Sequence, residues 1–250
     1  MEAILRKKDL TIIIPVLNCF DYTKNLVSYL FKKTPYKIIV IDNGSTDETK
    51  GYFTKTFFYS QLVYIRFDEN LGVAASWNLG IKYAIRKWQS KYFLILNNDI
   101  LLNRKAIDFL ISALSAKKVV LASATNVSGI VSRPDKVIGL LPPVKTRLTE
   151  DPDFSCFLLS LKAIKKVGYF DEKFYPAYFE DNDYHYRIKL AGLKAVKTNR
   201  ALFFHFGSRT IKDNDEIRLK SNLGYVANRE YYQKKWGGLP GHEKLNEPAS

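Results

Sequence analysis

In the first half of the chain, short apolar runs alternate with segments that have the residue spacing of helices. Five of these runs are rich in β-branched and aromatic residues: Leu10–Val16, Tyr36–Asp42, Leu62–Phe67, Tyr92–Leu96 and Val119–Ala124. Their apolar residues are continuous rather than alternating, which predicts strands that are buried on both faces. Strands that alternate with helices predict βαβ units. The sequence therefore predicts an α/β fold with a mostly parallel, Rossmann-like sheet flanked by helices.

Helices are predicted between these strands and again in the less regular second half. The predicted helices run over 21–33, from the turn at 43–47, from 70–72 to about 88, and over 104–116, 163–168, 180–191 and 213–236. Asp21 is expected to cap the first of them, and Gly192 to follow the 180–191 helix. Residues 127–153 predict loops or a short hairpin, 154–161 a strand, and 195–198 and 202–206 two short strands.

Length and composition limit the class of protein. A chain of 250 residues that is 46% hydrophobic can bury one large core or two small ones. Thirty-nine Lys and Arg against 25 Asp and Glu give a net charge of +14. Such a charge attracts polyanions, anionic lipid surfaces or a nucleotide substrate. A Lys-rich, solvated surface explains it equally well, so charge alone does not choose a ligand.

Targeting and cysteine patterns favour a cytoplasmic protein. The chain has no run of 18 apolar residues, and its N-terminal apolar run is too short for a signal peptide. Cys19 and Cys156 form neither a zinc pattern nor a disulfide framework. We therefore expect a reducing compartment.

Polar residues follow four of the predicted strands at the point where each strand ends. They are Asn18, Asp42, the segment 68–70 and the segment 97–99. In open parallel sheets, ligands bind beyond the carboxyl ends of the strands. Each residue taken alone is equally typical of a helix cap or a turn. Four such positions at one edge predict a ligand site, yet the Gly-rich fingerprints of Walker-type ATPases and dinucleotide-binding domains are absent.

Several segments in a fixed order resemble family 2 glycosyltransferases, and the resemblance covers about 10–245. The matching segments are 11–18, 40–47, 70–78, 94–99, 168–172, 179–183, 205–210 and 231–238. The resemblance implies a single GT-A catalytic domain over 1–250. About 1–125 would bind the nucleotide sugar. About 126–250 would bind the acceptor, supply the catalytic base and end in the C-terminal helix.

The resemblance also implies which residues contact the donor. They are Pro15, Leu17, Asn18, Asp42, Asn43, Asn70, Gly72, Asn78, Asn97, Asn98 and Asp99. Asp42 would bind the nucleobase or ribose, although an Asx-type turn explains it as well. Gly72 would allow close approach at a helix N-terminus that favours phosphate, or would be an ordinary loop glycine. Asn97 or Asn98 would contact the ribose.

A divalent cation is the implied cofactor. The segment 97–99 matches the family's Asp-x-Asp with Asn in the first position, which leaves Asp99 as its carboxylate ligand. His205 matches a late histidine that completes the metal shell. Imidazole with carboxylate favours Mn²⁺ over Mg²⁺. The alternative for His205 is a half-buried histidine that packs beside a strand.

The implied general base is Asp181, with Glu180 as a contact to the acceptor hydroxyl or as the alternative base. Acids also favour the first turn of a helix through its dipole, which explains the residue type but not this place in the order of motifs. Aromatic residues at 175–179 would stack on the acceptor or pack in the core. Asp183 is expected to point elsewhere.

The resemblance implies an inverting hexosyl- or deoxyhexosyltransferase. The donor would be a UDP, GDP or dTDP sugar, and the acceptor a glycan or lipid-linked glycan in polysaccharide biosynthesis. The basic segment 133–147 and the last helix offer peripheral membrane contact. A sugar-nucleotide nucleotidyltransferase is the first alternative, although this chain lacks the Gly-rich basic loop that such enzymes carry after the first strand. The second is a basic nucleic-acid-binding module, which leaves the acidic positions unexplained. No nucleic-acid partner is expected.

Overall fold

A nine-stranded sheet runs through the computed structural model, which describes residues 9–56, 60–131, 133–207 and 215–249. Its strands are β1 Leu10–Val16, β2 Lys37–Asp42, β3 Leu62–Arg66, β4 Tyr92–Leu96, β5 Ile100–Leu102, β6 Val119–Asn126, β7 Leu148–Thr149, β8 Cys156–Ser160 and β9 Lys194–His205. The order across the sheet is β3-β2-β1-β4-β8-β6-β9-β5, with β7 also paired to β9. The predicted α/β class is confirmed.

Seven helices are described: α1 Phe20–Lys33, α2 Thr49–Thr56, α3 Val73–Trp88, α4 Ala106–Leu114, α5 Leu161–Val167, α6 Glu180–Leu190 and α7 Asp215–Trp236. Their apolar faces cover both sides of the sheet. One core contains α1 and α4 residues such as Leu26 and Leu110, and the other contains α3 and α6 residues such as Trp77 and Ile188. Burial on both faces is the reason that the strands are continuously apolar.

Parallel pairing brings the ends of the first strands to one edge. β1 pairs in parallel with β2, Val16 lying opposite Asp42, and with β4, Ile13 lying opposite Ile95. β2 pairs in parallel with β3. The loops that follow β1, β2 and β4 therefore start side by side, which is where the sequence places its polar residues.

The second part of the sheet is mixed and differs from the sequence-based expectation. β8 is antiparallel to both β4 and β6. The two short strands expected at 195–198 and 202–206 are one strand, β9, whose register against β6 shifts between Ser123 and Thr125. Polar Asn199 and Arg200 interrupt the apolar pattern there and obscured the continuity. The three-residue strand β5 was not predicted, because so short a run has no readable period.

Two further boundaries also differ. Helix α1 begins at Phe20 after Cys19, so Asp21 lies in its first turn rather than at its cap. The segment 127–153 contains a 3₁₀ helix, Pro134–Gly139, and the strand β7 instead of a hairpin. Within the ranges that the structure describes, no helix has both the length and the apolar content needed to cross a membrane.

A buried ion cluster attaches α7 to the domain. Asp183 on α6 is fully buried and accepts hydrogen bonds from Arg187 Nε at 2.8 Å and Trp236 Nε1 at 3.0 Å. Lys235 Nζ lies 2.7 Å from Asp183 Oδ1 and 2.6 Å from Asp171 Oδ2. Asp183 thus points into the fold, as expected, and joins α6 to α7.

Replacing Asp183 should therefore destabilise the fold strongly. Asp183→Ala leaves Lys235 and Arg187 without this buried carboxylate, and we expect a loss of about 3–5 kcal/mol in the free energy of unfolding. Urea denaturation measures the loss. The exposed Asp108→Ala on α4 is the control and should change stability by less than about 0.5 kcal/mol. Equal effects of the two variants would contradict the assigned role of the cluster.

Candidate active site

Three loops at the carboxyl edge of the sheet are hydrogen-bonded to one another. The backbone N–H of Asn18 donates to Ser45 Oγ at 2.8 Å, and Asn18 Oδ1 accepts from the Thr46 N–H at 2.8 Å. Asn98 Nδ2 donates to the carbonyl of Asn18 at 3.1 Å and to Thr23 Oγ1 at 2.9 Å. The loops after β1, β2 and β4 thus form one connected surface. Donor contacts by Asn18 and Asn98 stay predictions.

Asp42 ends β2 and is fully buried. Its Oδ1 accepts from the Ser45 N–H at 2.7 Å, which closes the turn that the sequence offered as the alternative role. Its Oδ2 accepts from the Tyr64 hydroxyl and from Arg66. Burial and the bond to Asp42 raise the pKa of the Tyr64 phenol. Tyr64 and Arg66 therefore occupy the outer oxygen of the Asp42 carboxylate. A nucleobase contact by Asp42 itself stays a prediction.

The loop before α3 is held by asparagine side chains. Asn43 Nδ2 donates to the carbonyl of Gly72 at 3.2 Å, and its Oδ1 accepts from the Leu71 N–H at 2.9 Å. Asn70 Oδ1 accepts from the N–H of Gly72 at 2.9 Å. These bonds fix the loop conformation, and the predicted donor contacts of Asn43 and Asn70 stay predictions.

Gly72 packs tightly against the segment that precedes the acidic pair. Its φ is +88°, and a Cβ there would lie 3.1 Å from the carbonyl oxygen of Pro176 and 3.2 Å from the Tyr175 ring. The same carbonyl of Pro176 accepts the N–H of Val73 at 2.9 Å. The need for glycine is therefore explained by contact within the chain. A phosphate contact at Gly72 stays a prediction.

Asn78 is buried within α3 and bonds the segment 170–172. Its Nδ2 donates to the carbonyl of Phe170 at 2.9 Å and to Glu172 Oε1 at 2.7 Å, and its Oδ1 accepts from the Phe170 N–H at 3.0 Å. This position supports the fold beneath the loops. These bonds engage both polar groups of the Asn78 side chain. The predicted donor contact of Asn78 stays a prediction.

Asp99 and His205 meet at the end of β4. Asp99 Oδ1 lies 3.0 Å from Nε2 of His205, and both side chains are largely buried. The backbone of His205 is held by Ser128, whose hydroxyl oxygen accepts its N–H at 2.8 Å and whose hydroxyl also donates to its carbonyl at 3.0 Å. Two residues that are 106 positions apart thus form one pair, and the metal role that the resemblance implies for them stays a prediction.

The pair fits two ligands of one divalent cation. A separation of 3.0 Å is a hydrogen-bond distance, and it is also about the spacing of neighbouring ligands that each lie about 2.1 Å from an ion. Across 9–56, 60–131, 133–207 and 215–249, no group of three or more His, Cys, Asp or Glu side chains is arranged to hold a metal ion. Among the described side chains, Asp99 and His205 are therefore the candidate protein ligands, and water or substrate oxygens can add to them.

Partly open side chains lie around this pair. Asn97 is half-buried and its N–H donates to the carbonyl of Ser155 at 2.9 Å, which joins the end of β4 to the start of β8. Pro15 and Leu17 are half-buried at the end of β1, and their predicted donor contacts stay predictions.

The acidic pair opens α6 after two residues in the left-handed region. Tyr178 and Phe179 have φ values of +79° and +71°. Glu180 is buried, and among the residues that the structure describes its Oε2 has no hydrogen-bond partner. Burial, Asp181 and Asp183 raise the pKa of Glu180 well above the usual value. A left-handed backbone at non-glycine residues and a buried carboxyl group both cost folding free energy. Both features are typical of functional sites.

Asp181 is half-buried in the first turn of α6. Burial and the carboxylate of Asp153 raise the pKa of Asp181, against the N–H of Asn182, which donates to Asp181 Oδ1 at 2.7 Å. Asp153 in turn accepts the N–H of Ser155, the residue bonded to Asn97. The charge of Asp153 thus acts on Asp181 from the loop that precedes β8.

A cavity of about 420 Å³ opens beside Asp181. Its walls come from the start of α6, from α7 and from the segment after α7: Tyr178, Phe179, Asp181, Asn182, Tyr225, Arg229, Leu239, Pro240 and His242. The rings of Tyr178 and Tyr225 meet edge to face at 5.4 Å. A carboxylate with a raised pKa thus faces an aromatic cavity large enough for a sugar.

Comparison with known proteins identifies the family of the chain. The model of the family described as glycosyl transferase family 2 matches residues 11–167. The chain belongs to glycosyl transferase family 2. The match contains the loops after β1, β2 and β4, and it ends before Asp181, so the acidic pair and His205 lie outside the matched residues.

Two curated relatives of this family 2 chain are glycosyltransferases. A galactofuranosyl glycosyltransferase of Leishmania donovani is 24% identical, covering 88% of this chain and 61% of the relative. The low-salt glycan biosynthesis hexosyltransferase Agl10 of Haloferax volcanii is 26% identical, covering 72% of this chain and 62% of the relative. The chain spans about three fifths of the length of each relative.

Solved structures share the fold. A mannosyltransferase of Pyrobaculum calidifontis, determined with GDP-Man and Mn²⁺, superposes with a TM-score of 0.60 at 17% identity, covering 80% of this chain and 58% of that one. GalNAc-T7, determined with UDP, GalNAc and Mn²⁺, has a TM-score of 0.63 at 12% identity and covers 90% and 50%. The predicted GT-A fold is confirmed.

Residues of α7 that sequence reasoning did not single out hold the loop before the acidic pair. Asn228 is buried; its Nδ2 donates to the carbonyls of Ala177 and Tyr178 at 2.9 and 3.1 Å, and its Oδ1 accepts the N–H of Tyr175 at 3.2 Å. One turn earlier, a Cβ on Gly224 would clash with Pro176. The four-residue spacing of these two small or polar residues was the available signal.

Glu180→Gln should stabilise the fold at high pH. The raised pKa means that burial penalises the ionised form of Glu180. The wild-type protein therefore keeps its full stability below the ordinary pKa of about 4.5 and loses part of it as pH rises through the folded-state pKa, whereas the Gln variant does not. We expect a gain of about 1–3 kcal/mol at about pH 8 that disappears at acid pH. Chemical denaturation at several pH values measures it.

The control is the exposed Glu150, whose pKa Lys194 lowers. Glu150→Gln should show the opposite sign, with the wild-type advantage lost as pH falls. A gain for Glu180→Gln that does not depend on pH would contradict the assigned ionisation.

Proposed function

We propose that the chain transfers a sugar from a nucleotide-diphosphate sugar to a hydroxyl of a glycan acceptor, with inversion at the anomeric carbon. One observation carries the proposal: Asp99 Oδ1 and His205 Nε2 pair at 3.0 Å after the end of β4, as the ligands of a diphosphate-binding cation would. Asp181, which lines an aromatic cavity, supports it as the candidate base. Membership of glycosyl transferase family 2 supports the same reaction class. It gives no support to the nucleotidyltransferase or nucleic-acid alternatives.

The donor lies along the loops of about 1–125. Its nucleobase meets Tyr64 and Arg66, which Asp42 holds from below. Pro15 and Leu17 form the wall beside it. The side chains of Asn97 and Asp99 are placed to meet the ribose and the diphosphate.

A divalent cation, Mn²⁺ before Mg²⁺, is held by Asp99 and His205. When bound, it supplies positive charge to the leaving diphosphate, whose negative charge grows as the sugar departs. The mannosyltransferase of Pyrobaculum calidifontis and GalNAc-T7 were both determined with Mn²⁺, which supports this choice. Ser128 is hydrogen-bonded to both the N–H and the carbonyl of His205, which fixes the backbone that carries the imidazole.

Asp181 acts as the general base. The acceptor oxygen bonds to the anomeric carbon while its proton passes to the Asp181 carboxylate, and the bond from that carbon to the diphosphate oxygen breaks with the electron pair leaving on the diphosphate. The partly buried carboxylate has a raised pKa, which brings it closer to the working pH and makes it a stronger base. Glu180 lies behind it as a contact or as the alternative base.

A screen of UDP, GDP and dTDP sugars tests the proposal. Slow hydrolysis or transfer that requires Mn²⁺ is expected with one donor class, and NMR of the product should give the inverted anomer. A retained anomer would exclude the direct displacement. Absence of hydrolysis, transfer and thermal protection with every nucleotide sugar would overturn the function.

Asp181→Asn should lower kcat by about 10²- to 10⁴-fold while nucleotide binding stays unchanged. In the wild type, kcat/KM should fall at acid pH with a midpoint above the ordinary aspartate value of 3.8, since the base must be ionised. Nucleotide protection against thermal unfolding checks the binding. Glu180→Gln is the matched comparison. If Asp181→Asn transfers sugar at a near-normal rate and Glu180→Gln loses transfer, the base is Glu180.

Asp99→Asn and His205→Gln should each raise the Mn²⁺ concentration for half-maximal transfer by roughly tenfold or more, because each removes one of two protein ligands. Titration of activity with Mn²⁺ measures the change. His185→Gln on α6 is the control, since burial and Lys189 lower the pKa of His185 to about 4 and it has no place in this site. Unchanged Mn²⁺ dependence in both site variants would refute the assigned pair.

A further inference from the structure

We propose that the sugar donor carries guanine and that Arg66 selects this base by donating a pair of hydrogen bonds to its O6 and N7 atoms. The inference rests on the proposed function and names the donor class of the same site. Three observations carry it: the carboxylate of Asp42 is enclosed, the side chain of Arg66 reaches the surface beside it, and a guanidinium offers hydrogen-bond donors alone.

The carboxylate of Asp42 offers no surface to a nucleobase. Its side chain is 0% exposed at the end of β2. Its Oδ1 accepts a hydrogen bond from the N–H of Ser45 at 2.7 Å, and its Oδ2 accepts from the hydroxyl of Tyr64 and from Nη1 of Arg66. A ligand contacts only atoms that reach the surface, so an N–H group of a base finds no acceptor at Asp42. Asp42 instead fixes the position of the two side chains that cover it.

Arg66 is a charged group that does reach the surface. It lies opposite Asp42 in the parallel pairing of β2 with β3, and its side chain is 20% exposed. Among the described residues, Asp42 is its only ion-pair partner, and that contact is made through Nη1. An arginine side chain carries five N–H donors and no acceptor. Arg66 is therefore held through one nitrogen and keeps further N–H groups for a ligand.

The strand ends place Arg66 near the wall expected for the base. Val16 lies opposite Asp42 in the pairing of β1 with β2, so the carboxyl ends of β1, β2 and β3 are neighbours. Pro15 and Leu17 at the end of β1 are half-buried and apolar. An aromatic base that packs against apolar side chains turns its polar edge toward neighbouring polar groups. Arg66 supplies such a group across β2.

The bases of the three donor classes differ in the edge that they offer to a guanidinium. Guanine carries two neighbouring acceptors, O6 and N7, and arginine paired with these two atoms is the commonest specific contact in DNA recognition. Uracil and thymine carry the N3–H donor between O2 and O4, so every pair of neighbouring groups on that edge contains a donor. That donor requires an acceptor, which Arg66 lacks and the enclosed Asp42 does not provide. Arg66 therefore favours GDP over UDP and dTDP.

Binding of nucleotide analogues to the full chain tests which edge is recognised. With Mn²⁺ present, isothermal titration should give GDP and IDP similar Kd values, because IDP keeps O6 and N7 and lacks only the 2-amino group. UDP and 7-deaza-GDP, in which carbon replaces N7, should bind at least about tenfold more weakly than GDP. Binding of IDP as weak as that of UDP would overturn the inference. Binding of UDP, dTDP or 7-deaza-GDP as tight as that of GDP would overturn it as well.

The variant Arg66→Lys separates base recognition from support of the fold. Lysine keeps the positive charge beside Asp42 but has no planar pair of donors. The variant should raise the Kd of GDP at least about tenfold and leave the Kd of 7-deaza-GDP within about twofold of the wild-type value. Arg86→Lys, at an exposed position near the end of α3, is the control and should change neither Kd. Equal weakening of both nucleotides by Arg66→Lys would overturn the role of Arg66 in selecting the base.

The outcomes distinguish this inference from the proposed function. Preference for UDP or dTDP, together with Mn²⁺-dependent hydrolysis of the matching sugar donor, would overturn the selection of guanine and leave the glycosyltransferase proposal intact. Absence of binding and of hydrolysis with every nucleotide and nucleotide sugar would reject the function itself. The analogue series uses the wild-type chain and therefore decides the question where Arg66→Lys fails to fold.

Discussion

Parallel pairing of β1 with β2 and β4 is the constraint on which the site depends. Because Val16 lies opposite Asp42 and Ile13 opposite Ile95, three loops begin at one edge. Asn18 and Asn98 then bond these loops together. Both faces of the sheet must be covered for these strands to be buried, and α1, α3, α4 and α6 provide that cover.

Within the second half of the chain, buried ionic contacts join α7 to α6 beside an apolar cluster of Phe174, Phe179, Tyr232 and Trp236. Lys235 lies between Asp171 and Asp183, and burial of Asp171, which alone would raise its pKa, is outweighed by Lys235 and Tyr231, which lower it. Buried charges of this kind are costly unless each has a partner. Here they determine where α7 lies, and α7 in turn positions Asn228 under the loop that leads to Glu180.

The sequence allowed prediction of what depends on local pattern. Continuous apolar runs predicted the strands of the parallel half, and the order of motifs predicted that Asp99 and His205 meet. The mixed half was less readable, because the register shift in β9 and the three residues of β5 arise from pairing with distant strands. Side-chain partners were also hidden. Nothing local to Asp42 indicates that Arg66 covers it, and nothing local to α7 indicates that Asn228 bonds Tyr178.

The contact of Gly72 and Val73 with Pro176 joins two parts of the chain that the motifs treat separately. One belongs to the loop ahead of α3, and the other leads within five residues to Asp181. A peptide hydrogen bond and close packing hold the two loops together, so a side chain added at Gly72 would press directly on the segment that leads into α6. The conformation of one loop is thereby a boundary condition for the other.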